Sequence, residues 1–255
     1  MKADIEKLVK ISNREVYNNI SPEEYDKNES IFNETRRKNC EEALRECANR
    51  SGNESYLDVG TGTGNLLRIS QNIFKNTYAI DISENMLIKI KDRHSGAKFA
   101  ASDAENLPFK DSSFNCVSAN ALLHHLVSHE KLLSEIFRVL KPGGSLYTDH
   151  DPNYFFNRFY RIFYRIKFRN RHGFGNEKND LAEYHNVFTP GINPEQLAMT
   201  MREIGFSKIK IKYRLTDRSE WKGFAKFAFI LLKILNKSLP FKSLRTHFSI
   251  IASKN

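Results

Sequence analysis

The sequence predicts an α/β protein: a doubly wound, mostly parallel sheet with helices on both faces. Three observations carry this. Short strand-like apolar segments recur along the chain, helical patterns separate most of them, and a glycine-rich turn follows the first strand. Parallel strands need such intervening helices, because each strand must start again from the same end of the sheet.

In chain order, residues 29–50 are polar with apolar residues at helical spacing (Ile31, Phe32, Cys40, Ala43, Leu44, Cys47), which predicts a helix leading into the first strand. Strands are expected at Tyr56–Val59, Thr77–Ile80, Lys98–Ala101, Phe114–Ala119 and Ser145–Thr148. Helices are expected at Asn65–Phe74, Glu84–Arg93 and His129–Leu140, with Ser83 and Ser128 at N-cap positions. The run KPGG, residues 141–144, stops a helix and turns the chain into the fifth strand. After residue 150 the regularity breaks, and Asn153–His172 holds six Arg/Lys, eight aromatic residues and no acid. Order returns with Asn193 as N-cap, Pro194 at the first helical position, Gln196 to close a capping box and Gly205 to end the helix. "FSKIKIKYR" alternates and predicts a strand with one wet face, and "HFSIIAS" predicts another. The chain thus divides into an N-terminal helical segment (1–50), a core of alternating strands and helices (51–150) and a C-terminal part (151–255). That last part carries helical lid insertions and the last two strands of the same sheet.

A chain of 255 residues can bury a substantial core. Its three cysteines form no CxxC pair, which argues against a disulfide framework or a zinc site and for a reducing compartment. The opening MKADIEKLVK is charged throughout, unlike a signal peptide, and the apolar run Phe227–Leu232 is too short to span a bilayer. A cytoplasmic protein without a transmembrane segment is expected. The net charge of +10 is unevenly placed: residues 1–150 hold 20 Lys+Arg against 22 Asp+Glu, residues 151–255 hold 20 against 8. The second part therefore favours an anionic partner, whether nucleic acid, an anionic membrane surface or an acidic substrate.

The turn after the first strand reads Asp58-x-Gly60-x-Gly62-x-Gly64. Glycines there let a ligand approach the main chain. A dinucleotide fingerprint needs a glycine at its sixth position, yet counting from Gly60 or Gly62 reaches Asn65 or Leu67. Both registers fail. Asp58 would repel a phosphate and welcome an amino group. Asp81 ends the second strand, where an acid accepts both ribose hydroxyls, and Asp103 ends the third, placed to accept from an adenine amine. An ammonium, a diol and an adenine occur together in S-adenosylmethionine.

Four segments strengthen that reading: LDVGTGTGNLL, AIDISENML, ASDAENLPFKDSSFNCVSANALLHHL and RVLKPGG. In this order and spacing the first 150 residues resemble class I S-adenosylmethionine-dependent methyltransferases, particularly the small-molecule group that includes the ubiquinone and menaquinone C-methyltransferases. The resemblance implies the Rossmann-like methyltransferase fold, a seven-stranded sheet with an antiparallel last strand. It also implies that Asp58, Gly60 and Gly62 line the methionine moiety, Asp81 the ribose, and Asp103 with Ala104 the adenine, with Thr61 a further cofactor contact. Asn120, ending the fourth strand, would face the cofactor.

Methyl transfer from a sulfonium needs mainly in-line positioning of the acceptor, and a base only where the acceptor proton demands one. Candidates at or past strand ends are His124, His125, His150 and Asp149, with His124 and His150 the favoured pair; a loop histidine held by hydrogen bonds is the alternative for His124 and His125. Asp149 to Asn153 could offer metal ligands, but their spacing matches poorly, so no metal is expected. For the acceptor, adenine amino-methylating enzymes carry an Asn/Asp-Pro-Pro-aromatic run where this chain reads Asn120-Ala121-Leu122-Leu123, and cytosine enzymes a Pro-Cys where Cys116 is followed by Val117. An RNA methyltransferase is therefore the second reading, and a cofactor-binding member without catalysis the third. Arg158, Arg161, Arg165 and Arg169 form one helical stripe beside an aromatic arc, as do Lys222, Lys226, Lys233 and Lys237. Such helices suit a membrane interface or a lid over an oily substrate, or two helices packing together with solvated edges. The expected acceptor is small or lipid-like, with peripheral association at anionic membrane as a further expectation.

Overall fold

The computed structural model describes residues 2–21, 33–158, 177–215, 230, 231, 234 and 241–255. Most of the two basic stripes, including Arg161, Arg165, Arg169 and the four lysines, lies outside the described residues. Helices α1 (Lys2–Asn19) and α2 (Glu34–Ser51) precede the sheet. Strands β1 (Ser55–Val59), β2 (Asn76–Asp81) and β3 (Ala97–Ala101) then alternate with α3 (Asn65–Ser70) and α4 (Glu84–Ile90). They are followed by β4 (Phe114–Asn120), α5 (Glu130–Val139) and β5 (Leu140–Pro152). Short helices α6 (Glu177–Ala182) and α7 (Tyr184–Val187) lead to α8 (Pro194–Ile204), β6 (Phe206–Arg214) and β7 (His247–Lys254).

The seven strands lie in the order β3-β2-β1-β4-β5-β7-β6. Neighbours from β3 to β5 are parallel, while β7 runs antiparallel to both β5 and β6. The order reverses between β1 and β4, and at such a switch point the loops leaving the two strands diverge and open a crevice.

Both faces of the sheet are covered, so adjacent residues of one strand serve different cores. Leu57, Val117, Ile250 and Ala252 join α5 and α8 (Leu132, Leu133, Ile136, Leu197, Met201) on one face. Tyr56, Cys116 and Ile251 join α2 and α3 (Cys40, Leu44, Cys47, Leu66, Ile69) on the other. This period-two split explains why the strands read as continuous apolar runs. All three cysteines are free and buried.

Local signals place the helix ends. The Ser83 hydroxyl accepts from the Met86 N–H at 3.1 Å, and Asn193 caps α8 from the side-chain oxygen that accepts from Glu195 and Gln196. Gly205 closes α8 at a φ of 118°. Ser128 does not cap α5: the N-cap is His129, without a side-chain capping bond. The KPGG run is absorbed into β5, whose pairing with β4 slips between Phe114–Leu140 and Cys116–Ser145. A second irregularity falls at the far end of β5, where Asp149 pairs with Ser249 and Asp151 with Phe248, leaving His150 as the extra residue of a bulge at a φ of 73°.

Candidate active site

A cavity of about 110 Å³ lies at the carboxyl ends of β1, β2, β3 and β4, at the switch point. It brings together Asp58, Gly60, Thr61, Gly62, Asp81, Asp103, Ala104 and Asn120. Those residues are spread over 63 positions of chain, and only the parallel sheet stacks their strand ends side by side.

The glycine turn is shaped by backbone geometry. Gly60, Gly62 and Gly64 have φ of 68°, 52° and 78°, a region L side chains rarely adopt. A Cβ on Gly60 would come within 2.7 Å of Leu122 Cδ1, and one on Gly64 within 2.5 Å of His94 Nε2. A Cβ on Gly62 would meet nothing within 4 Å, because that glycine borders the cavity. Two of the three glycines thus admit the protein's own side chains, and Gly62 leaves room for a ligand.

Asp58 is buried, with donors on both oxygens: Ser118 Oγ at 2.6 Å and Tyr56 OH at 3.4 Å on Oδ1, Thr61 Oγ1 at 2.8 Å on Oδ2. Burial nevertheless prevails over these bonds and pushes its pKa up to about 6. The site therefore holds a carboxylate whose charge lacks full compensation, which favours a cationic ligand group. Asp81 accepts from the Gly62 N–H and from the Ser83 N–H, both at 2.9 Å, and burial raises its pKa against these bonds. It ties the glycine turn to the start of α4 and still offers lone pairs to the cavity, since a carboxylate has about four acceptor sites.

Other lining residues carry no motif. Lys10 of α1 pairs with Asp103 at 2.6 Å and with Glu105. Asn13 and Tyr17, one and two turns further along α1, also line the cavity. Arg36 of α2, buried, reaches Asn120 Oδ1 with Nη2 at 3.4 Å, setting a guanidinium in the cavity that also holds Asp58. Nothing in the sequence around Lys10, Tyr17 or Arg36 marks them as site residues, because helices α1 and α2 are brought here by packing alone.

The two favoured bases stand elsewhere. His124 and His125 share a short 3₁₀ turn, Leu123–His125, and His125 lines the cavity whereas His124 does not. Asp151, fully buried, accepts from the His124 N–H at 3.0 Å and lies 2.9 Å from its Nδ1, drawing that ring toward β5. His150 does not line the cavity either. The bulge at the end of β5 sets its ring against His247, with centroids 4.3 Å apart.

A seven-stranded sheet in this order, with β7 reversed, has the architecture of the Rossmann-like methyltransferase fold. Residues 57–148 match the methyltransferase domain family. Over 106 residues it is 38% identical to the ubiquinone/menaquinone biosynthesis C-methyltransferase UbiE of Pseudomonas savastanoi pv. phaseolicola, covering 38% of this chain and 41% of that one. Over 88 residues it is 33% identical to the malonyl-[acyl-carrier protein] O-methyltransferase of Pectobacterium atrosepticum, covering 34% and 35%. The matches thus span about two fifths or less of these relatives. Among solved structures, a putative sarcosine dimethylglycine methyltransferase from Galdieria sulphuraria superposes with a TM-score of 0.59 at 14% identity, over 87% of this chain and 86% of that one. Phosphoethanolamine N-methyltransferase 2 of Haemonchus contortus, in complex with S-adenosyl-L-methionine, superposes at 0.56 with 19% identity, over 86% and 52%. These likenesses establish the fold.

Proposed function

We propose that the protein transfers a methyl group from S-adenosylmethionine to a small or lipid-like acceptor. The observation that carries this is the convergence of Asp58, Gly62, Asp81 and Asp103 on one cavity at the switch point. The residues fit the cofactor: Gly62 opens onto space that a Cβ would fill, and Asp58 is a buried carboxylate suited to an ammonium. Arg36 and Asn120 would hold the carboxylate of the methionine moiety, Asp81 the ribose hydroxyls, and Asp103 with Ala104 the adenine. The bound cofactor supplies an electrophilic methyl on a sulfonium. The chain's part is to orient and to exclude water, with α1 and the turn after β4 covering the cavity through Tyr17, Leu122, His125 and Leu126. Acid–base steps are not assigned to His124 or His150, which stand outside the cavity lining.

Titration calorimetry with S-adenosylmethionine and with NAD tests the cofactor. Heat from the first and none from the second is expected; binding of NAD alone would overturn the reading. For the acceptor, Ile230, Leu231 and Ile234 are 45%, 48% and 57% exposed within the basic part of the chain, which supports an apolar or membrane-borne substrate. Sedimentation with anionic vesicles, with RNA as competitor, tests this. Vesicle binding that is lost in Arg161→Glu/Arg165→Glu and not competed by RNA supports it. Tight RNA binding without vesicle association would instead favour an RNA substrate. Among the described residues no helix is long and apolar enough to cross a membrane.

A further inference from the structure

At the edge of the cavity is a second group of polar residues to which methyl transfer assigns no acid–base step. His124 and His125 sit on the 3₁₀ turn after β4, and Glu183 lies between α6 and α7. One ligand atom from each lies within 4.8 Å of the others. His124 Nε2 is 3.6 Å from Glu183 Oε2. Two ligands at about 2.0–2.2 Å from one tetrahedral ion keep close to that separation.

The hydrogen bonds around the group orient both rings the same way. Asp151 Oδ1 lies 2.9 Å from His124 Nδ1, and the Ala182 carbonyl oxygen lies 2.6 Å from His125 Nδ1. Each Nδ1 therefore carries the proton, and each Nε2 is the basic atom. His125 Nε2 is 3.4 Å from Tyr17 OH, and that hydroxyl donates to Glu183 Oε1 at 3.2 Å. Tyr17 OH thus links His125 Nε2 to the Glu183 carboxylate, and the His125 ring itself comes within 4.0 Å of Glu183 Oε1, through Nδ1. Metal-ligating histidines almost always donate their other ring N–H to a carboxylate or a backbone carbonyl, and here both outer partners are in place.

We propose that His124, His125 and Glu183, with Tyr17 beside them, bind a divalent transition-metal cation of the zinc type at the edge of the cavity. The site is built from histidine and glutamate, so the cysteine pattern gives no sign of it. Charge agrees with the assignment, since Glu183 and the outer carboxylate of Asp151 balance a dication. The two rings are 4.0 Å apart, so their nitrogens can serve one ion. An imidazole-rich set selects zinc and its neighbours over magnesium. A cation there joins α1, the turn after β4 and the α6–α7 turn, three elements distant in sequence. Asp149, His150 and His247 form another such group among the described residues, but both Asp149 oxygens already accept bonds, from Tyr147 OH and from the His150 N–H.

The test uses the full chain, stripped with a chelator and titrated with Co²⁺ while visible absorption is followed. Ligand-field bands that saturate at about one Co²⁺ per chain and vanish on adding Zn²⁺ are expected. Glu183→Gln, whose side chain is 38% exposed and whose loss leaves the core intact, should weaken binding at least about tenfold. Asp151→Asn should weaken it about 10–100-fold through the outer sphere, with circular dichroism checking that each variant is folded. Absent bands, equal affinity in wild type and Glu183→Gln, or displacement by Mg²⁺ in preference to Zn²⁺ would each overturn the site. The measurement needs neither cofactor nor acceptor, so its failure leaves the methyl-transfer reading standing.

Discussion

Asp58 offers the sharpest test of the cofactor cavity. Its pKa is about 6 in the folded protein against an ordinary value of 3.8, because burial outweighs the bonds from Ser118, Thr61 and Tyr56. A difference of roughly two units is worth about 3 kcal/mol at 1.36 kcal/mol per unit. The raised pKa means that the folded state holds its proton more tightly than the unfolded chain. Below pH 4 both states are protonated, and the group makes no difference. Between pH 4 and 6 the unfolded chain ionises first, so stability falls as pH rises, and above pH 6 the full cost of about 3 kcal/mol is present. Asp58→Asn removes this titration. The amide cannot accept on both sides as the carboxylate does, so the variant carries a pH-independent cost of about 1–3 kcal/mol for a mismatched donor. Urea denaturation of both proteins without cofactor, at intervals from pH 4 to 7.5, isolates the pH-dependent part. The difference between them should drift by about 3 kcal/mol in favour of the variant as pH rises. A difference constant across that range would show that Asp58 ionises normally. Asp58 would then carry no uncompensated charge for a cationic partner to meet. With S-adenosylmethionine present the sign inverts, and the wild type should bind more tightly above pH 6 than below.

Three further outcomes follow from the same geometry. Asp81→Ala leaves the Gly62 and Ser83 N–H groups without their acceptor and should weaken cofactor binding by about 1–3 kcal/mol; an unchanged dissociation constant would leave Asp81 only its role in holding the turn. Gly62→Ala and Gly64→Ala should separate binding from folding. The first adds only left-handed backbone strain of about 1–2 kcal/mol and places a methyl at the cavity, so affinity suffers more than melting temperature, while the second collides with His94 and chiefly lowers melting temperature. Equal losses in both assays for both variants would show that the glycines serve the turn alone. Lys10→Met should change stability by no more than about 1 kcal/mol, since the Lys10–Asp103 pair is about a third exposed, yet tighten cofactor binding by releasing Asp103 for the adenine amine. Weaker binding by this variant would show instead that Lys10 supports the cofactor.

The core of this domain is legible in sequence because its signals are local. Asp58 to Gly64 is a strand end joined to a glycine turn, and the turn's positive φ values are demanded at those residues wherever the strand lies. Ser83, Asn193 and Gly205 mark helix ends for the same reason, each acting on backbone groups within four residues of itself. Acids that end β1 and β2 and follow β3 meet once the strands are known to be parallel, and the strand–helix alternation says that they are. Ser128 misleads because a cap depends on the dihedral angles of one residue, and in this chain the helix begins one position later.

Alone, then, the sequence determined the fold class, the glycine turn and which acids end the strands, since short-range backbone chemistry and hydrophobic period fix all three. The tertiary structure alone decided which side chains from distant elements complete the site. Lys10, Tyr17 and Arg36 arrive on helices whose docking is a matter of packing many weak contacts, which no local pattern encodes. His124 and His125 differ by one position in a 3₁₀ turn, where successive side chains point about a third of a turn apart, so one meets the cavity and the other Asp151. His150 was displaced by one extra residue between β5 and β7, because a bulge depends on the register of two strands and belongs to neither sequence alone.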